Sequence, residues 1–177
     1  MTGANIVIAY WLMPAEPAQS FFASIIRELA DRFDAPPFEP HLTVYAGPEE
    51  AKDPNEILRG VFAGLDHFQL LVRDVQSSDQ FTKTVFVQFE PDPRLSEISF
   101  ALRRASSSDE EYELNPHLSL IYKTMDTVVK SELANSIRIP FREVTFGSAK
   151  AVACPSPIKT REDVEAWQEL AMQKFNE

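Results

Sequence analysis

The chain is poor in residues on which several kinds of protein depend. Cys154 is its one cysteine among 177 residues. No internal disulfide can form, which fits a reducing compartment. Five glycines are present, and none builds a Gly-rich loop after a strand. That excludes the dinucleotide fingerprint and the P-loop. The first apolar run, Ile6 to Met13, is far shorter than the roughly 20 residues of a membrane span. No Lys or Arg precedes it, Asn5 opens it and Pro14 closes it, so it does not read as a signal peptide. A soluble cytoplasmic protein with no membrane partner is expected. Basic residues are outnumbered: 17 Lys and Arg face 27 Asp and Glu, a formal net charge of −10. The resulting field opposes the approach of a polyanion, which speaks against long nucleic acid. It leaves room for a small anion held by a few local donors. Three histidines without local ligand spacing do not suggest a metal site.

What is present suits a compact fold. The chain is 44% hydrophobic, and at this length about 70% of the unfolded surface can be buried. One domain, or two small lobes sharing a core, needs no disulfide or metal to be stable. Ile6 to Met13 reads as a buried strand. Phe21, Phe22, Ile25, Ile26, Leu29 and Phe33 recur at helical spacing, and Pro36 and Pro37 should end that helix. Asp53-Pro54-Asn55-Glu56 is a helix start, with Asp53 as cap and Glu56 at the capping-box position. His67 to Val75 and Thr84 to Phe89 read as strands, and Asp92-Pro93 opens another helix. Ser106 to Ser108 and four acids, Asp109, Glu110, Glu111 and Glu113, form a solvated loop. A helix follows from Thr127 to about Ser136, then one or two strands between Ile137 and Cys154. Periodicity leaves the C-terminal segment open between a helix (Val164, Trp167, Leu170, Phe175) and a strand (Trp167, Ala171, Phe175). With no parallel-sheet signature, a mixed antiparallel α+β fold is expected.

One short pattern occurs twice. Pro40-His41-Leu42-Thr43-Val44 reappears as Pro116-His117-Leu118-Ser119-Leu120. On a strand, residues i and i+2 point the same way. Each copy therefore places an imidazole and a hydroxyl on one face and apolar residues on the other. Each sits between helices, so the order of elements is coarsely duplicated. Two imidazoles can take a proton from water and give one to a leaving oxygen. Thr43 and Ser119 can donate hydrogen bonds to phosphate oxygens, where charge gathers in the transition state. Such chemistry needs no metal and no cofactor.

On these residues the chain resembles the two-histidine phosphoesterase superfamily. It is most similar there to the cyclic phosphodiesterases of plants and yeast. The resemblance rests on Tyr10-Trp11-Leu12-Met13-Pro14, Phe38-Glu39-Pro40-His41-Leu42-Thr43-Val44 and Asn115-Pro116-His117-Leu118-Ser119-Leu120-Ile121-Tyr122, with a weaker match at Val164-Glu165-Ala166-Trp167. It implies two pseudo-symmetric lobes of antiparallel strands lining a central cleft, with helices outside. Residues 1–177 would form a single bilobal phosphoesterase domain, and the C-terminal segment would be a strand. The activity implied is metal-independent hydrolysis of 2′,3′-cyclic nucleotides, or of the cyclic phosphate of ADP-ribose, to a 2′-phosphate product. It also implies that His117 is the base and His41 the acid.

Four further residues are candidates for substrate contact. Trp11 could wall the cleft or belong to the core. Phe81 could stack on a base or merely pack, and Lys83 could donate to phosphate. Tyr122, three residues past Ser119, reaches the cleft only if its strand ends or bulges. His67 is assigned a structural role and Cys154 an inert one. A monomer acting on a small nucleotide cyclic phosphate is expected. The alternatives are an RNA end-processing phosphodiesterase or ligase-like enzyme, and a non-catalytic nucleotide-binding module.

Overall fold

A computed structural model describes residues 5–49 and 52–177. The first strand, β1 (Asn5–Pro14), leads into helix α1 (Ala18–Phe33). The first histidine motif opens β2 (Leu42–Pro48), followed by α2 (Pro54–Phe62). A hairpin-like pair, β3 (Phe68–Ser77) and β4 (Val85–Phe89), flanks a 3₁₀ turn at Phe81–Lys83. Helix α3 (Pro93–Ala105), β5 (His117–Ile121) and α4 (Thr127–Ser136) form the second motif's surroundings. The chain closes with β6 (Glu143–Ser156), a short α5 (Arg161–Glu165) and β7 (Gln168–Lys174).

The ambiguous C-terminal segment is thus a one-turn helix followed by a strand. Thr160 and Asp163 form a reciprocal capping box that fixes the start of α5, and the helix ends at Glu165, before β7 takes up the rest of the segment. Between Ile137 and Cys154 there is one strand, starting at Glu143. Two local readings are corrected. Helix α1 stops at Phe33, before the prolines, because Asp34 turns left-handed (φ 51°) and its N–H bonds the Ala30 carbonyl. Asp53 caps α2 through the Asn55 N–H at 2.9 Å, and no reciprocal bond from Glu56 closes a capping box among the described residues.

All seven strands join one antiparallel sheet in the order β1-β2-β5-β4-β3-β6-β7, and β1 also pairs with β6. That extra pairing closes the sheet on itself. One lobe is β1, β2, β7 and most of β6. The other is β3, β4, β5 and the first residues of β6. The lobes meet at two seams: β3 on β6 through Phe68 to Leu71, and β2 on β5 at Leu42 and Leu118. Helices α1, α2, α3 and α4 pack on β5, β7, β2 and β3 respectively.

Alternation along β1 shows how the faces are used. Ile8, Tyr10 and Leu12 join the main core under the helices. Ala9, Trp11 and Met13 join a second cluster with Val152, Cys154 and Trp167 on the opposite face. A strand buried on both faces carries a near-continuous apolar run, which is why residues 6–13 show no alternation of polarity.

Candidate active site

The two motifs dock on each other at their central leucines. Leu42 pairs with Leu118, and both are wholly buried toward the helices. In an antiparallel pair the flanking residues then share the other face. His41 lies alongside Ser119, and Thr43 alongside His117. Four residues that are 78 positions apart at the extremes therefore gather at a single pairing point.

Each motif carries a bulge at the same place. Trp11 pairs with Thr43 and Tyr10 with Tyr45, so Val44 is the extra residue. Phe86 pairs with Ser119 and Val85 with Ile121, so Leu120 is the extra residue. A bulge shifts the alternation by one. It returns Tyr122, just past the end of β5, to the face of His117 and Ser119.

The imidazoles are held alike. His41 Nδ1 lies 2.6 Å from the Glu39 carbonyl oxygen, and His117 Nδ1 lies 2.7 Å from that of Asn115. A carbonyl only accepts, so each Nδ1 carries the proton and each Nε2 is left for chemistry. Burial pushes His41 down to about 4; the bond to Glu39 partly offsets this, and the charge on His117 adds to it. Burial lowers His117 as well, opposed by its bond to Asn115 and reinforced by Lys83. Both rings are therefore poised as neutral imidazoles near pH 7.

Their surroundings differ. Trp11, 5% exposed, lies flat on His41, with ring centroids 3.7 Å apart and planes 15° apart. Trp167 meets His41 edge-on at 5.7 Å, and Phe38 does so at 6.1 Å. Phe38 in turn stacks on Tyr122 at 4.2 Å. Across the seam, His117 is half-buried and meets Phe86 with an edge at 5.6 Å. Lys83 sits over the face of Phe86 at 4.6 Å. His117 also borders an open cavity of about 300 Å³ lined by Gln80, Lys83, Tyr112, Glu113 and Asn115.

The hydroxyls differ too. Ser119 Oγ donates to the Thr82 carbonyl at 2.5 Å and interacts with the Tyr122 phenol, whose pKa burial raises far above its usual value. Thr43 is half-buried on the opposite strand. Phe81 stacks toward Tyr122 at 6.2 Å, so Tyr122, Phe81 and Phe38 form one aromatic wall. Of the other assigned residues, His67 packs against Gly147, where a Cβ would come within 2.9 Å of its ring. Cys154 is buried, and burial pushes its thiol up to about 12. Among the described residues no cluster of three or more His, Cys, Asp or Glu could hold a metal ion.

The motif matches contain Phe38, Glu39, Asn115 and Trp167 without giving any of them a role at the site, and Phe86, Lys150 and Gln88 are not singled out by the sequence. Glu39 and Asn115 stand two residues before each histidine, a repeated position that could have been noticed. Lys150 and Gln88 lie on other strands and leave no such signal.

A closed antiparallel sheet in which two His-x-Thr/Ser strands pair side by side is the arrangement of a two-histidine phosphoesterase. Residues 6–175 match the family described as cyclic phosphodiesterase-like protein, and the chain belongs to it. No curated protein matches it in sequence. Among solved structures it is similar in fold to TT0787 of Thermus thermophilus, at 12% identity and a TM-score of 0.61, covering 95% of this chain and 97% of that one. It is also similar to E. coli LigT in apo form, at 16% identity and a TM-score of 0.59, covering 99% and 100%. LigT complexed with 3′-AMP gives 15% identity and a TM-score of 0.55, covering 98% and 99%.

Proposed function

We propose that this chain is a metal-independent cyclic phosphodiesterase. It opens 2′,3′-cyclic nucleotides, or the cyclic phosphate of ADP-ribose, to the 2′-phosphate. The observation that carries this reading is the pair of Nδ1–H···O=C bonds. They leave two Nε2 atoms on one face, beside Thr43 and Ser119. His117 serves as base: it borders the open cavity, where water enters, and Lys83 disfavours its protonated form. Its Nε2 takes a proton from water as the water oxygen bonds to phosphorus. The bond from phosphorus to the 3′ oxygen breaks, and His41, which enters the step as the imidazolium with both Nδ1 and Nε2 protonated, gives that oxygen its Nε2 proton and returns to the neutral Nδ1–H ring. Thr43 and Ser119 hold the non-bridging oxygens; Ser119 turns from the Thr82 carbonyl to do so. The wall of Phe38, Tyr122 and Phe81, with Lys83 nearby, receives the nucleoside.

The whole chain works as one catalytic domain, as a monomer, on a small cyclic phosphate. The net charge of −10 supports a small substrate over long nucleic acid. The lone, buried and unpaired Cys154 supports a reducing, cytoplasmic setting. No described helix is long and apolar enough to cross a membrane.

The test is turnover of 2′,3′-cyclic mononucleotides and cyclic-phosphate ADP-ribose with a chelator present, scored for product position. A 2′-phosphate product is expected. His41→Ala and His117→Ala should each lose at least about 100-fold in kcat. The kcat/KM profile should be a bell with its maximum below pH 6.5, because burial lowers both imidazoles. Full activity in both variants would sink the reading. Salt-sensitive micromolar binding of tRNA would move it to RNA ends.

A further inference from the structure

Each histidine is fixed by a carbonyl, and each of those carbonyls belongs to a residue whose side chain is itself gripped by a neighbouring strand. In the first lobe, Glu39 is gripped by Lys150 of β6. Lys150 Nζ donates to Glu39 Oε1 at 3.0 Å and Oε2 at 2.9 Å. It also donates to Glu169 at 2.7 Å. Its side chain is 15% exposed. Burial works against its charge, but the bonds to Glu169 and Glu39 outweigh that and hold the ammonium above its ordinary value. In the second lobe, Asn115 is gripped by the buried Gln88 of β4. Gln88 Nε2 donates to Asn115 Oδ1 at 2.8 Å and to the Pro116 carbonyl at 2.9 Å.

The grips occupy defined places in the sheet. Lys150 pairs with Trp11, the strand neighbour that covers His41. Gln88 pairs with His117 itself. Both gripped residues precede a proline, Pro40 or Pro116, which confines them to extended backbone. Their carbonyls therefore have few orientations to choose from, and a held side chain removes much of the rest.

We propose that Lys150 and Gln88 are positioning residues for the two histidines. Lys150 acts through Glu39 on His41, and Gln88 acts through Asn115 on His117. Each keeps the carbonyl aimed at Nδ1, which holds the ring in the tautomer that presents Nε2. The first grip is ionic and the second is a neutral amide, so they fail under different substitutions. The proposal rests on reading both histidines as reacting groups.

The test reads the rings directly, by ¹⁵N NMR of histidine-labelled full-length protein, alongside turnover of a 2′,3′-cyclic nucleotide. Wild-type protein should show both rings with the proton on Nδ1. Lys150→Met should mix the tautomers of His41 and leave His117 unchanged. It should lower kcat by about 10- to 100-fold, the cost of small misplacements of a reacting group, with KM changed by less than about twofold. Lys150→Arg should restore most of both signals. Gln88→Leu should produce the mirror result at His117. Glu39→Gln, which breaks the ion pair while leaving Lys150 in place, should match Lys150→Met and stands in for it if that variant does not fold. Unchanged His41 ring signals in Lys150→Met or Glu39→Gln would overturn the proposal. So would a loss confined to KM, which would make Lys150 a substrate-binding cation. If wild-type protein turns over no cyclic phosphate, the proposed reaction falls while the ring signals still decide whether the grips position the histidines.

Discussion

The two halves of the site share a plan and differ in environment. In both, a proline precedes the histidine, Nδ1 is bonded to a carbonyl, and a bulge follows the hydroxyl residue at Val44 or Leu120. An aromatic residue faces that hydroxyl residue across the strand pair, Trp11 in one lobe and Phe86 in the other. The shared features are backbone features, and they set where each Nε2 points. The differences are in side chains. Trp11 covers His41 face to face and excludes water. Phe86 offers only an edge to His117 and leaves it beside a cavity and a lysine. A duplicated frame can thus hold two like rings by the same backbone contact while giving them unequal water and unequal charge.

Removing the two aromatics in turn separates the environments of the two rings. Trp11→Ala should cost about 3–5 kcal/mol of stability, read by urea unfolding. It should also let His41 titrate closer to its ordinary value, because the face that keeps water away is gone. Phe86→Ala should cost a similar amount and leave the titration of His41 where it was. Equal movement of His41 in both variants would remove the claim that Trp11, and not Phe86, shields it.

Acid sharpens the same contrast. His41 titrates near 4 when folded, against 6.5 in the unfolded chain. The unfolded state therefore takes up the proton first as pH falls. Stability is fullest above about pH 6.5 and declines toward pH 4, by about 3 kcal/mol from this group. Urea midpoints measured across that window should show the decline, and His41→Gln should flatten most of it. His117→Gln should flatten less, since His117 is the more open ring.

The smallest expected effect concerns Lys83. Burial is the main reason that His117 titrates low, and the charge of Lys83 adds to it. Lys83 stands on the His117 side of the seam, over Phe86. In Lys83→Met, His117 should therefore titrate higher in an NMR pH series, and His41 should not move. A shift of His41 of the same size would place Lys83 between the rings rather than beside His117.

Much of this was legible in the chain. The paired motifs, the α+β class and the two-lobed arrangement came from a repeated five-residue pattern, from helical and strand periodicity, and from a resemblance carried by Trp11, Pro14 and the motif flanks. Tyr122 was legible only as a condition, since its facing depended on a bulge. Helix α5 was missed because its single turn is too short to show a period. Phe38 and Trp167 stood in the motif matches without a role, because their contacts with Tyr122 and His41 bring together residues far apart in the chain.

The sequence by itself determined which residues could share a face, because alternation and helical spacing are properties of a short stretch of chain. It also determined that imidazole and hydroxyl occur together twice. Only the tertiary structure decided that Leu42 meets Leu118, that Trp11 covers His41 while Lys83 stands by His117, and that Lys150 grips a residue 111 positions away. Those neighbours are chosen by closing one sheet over a shared core. The free energy of that closure is spread over the whole chain and is written in no single segment.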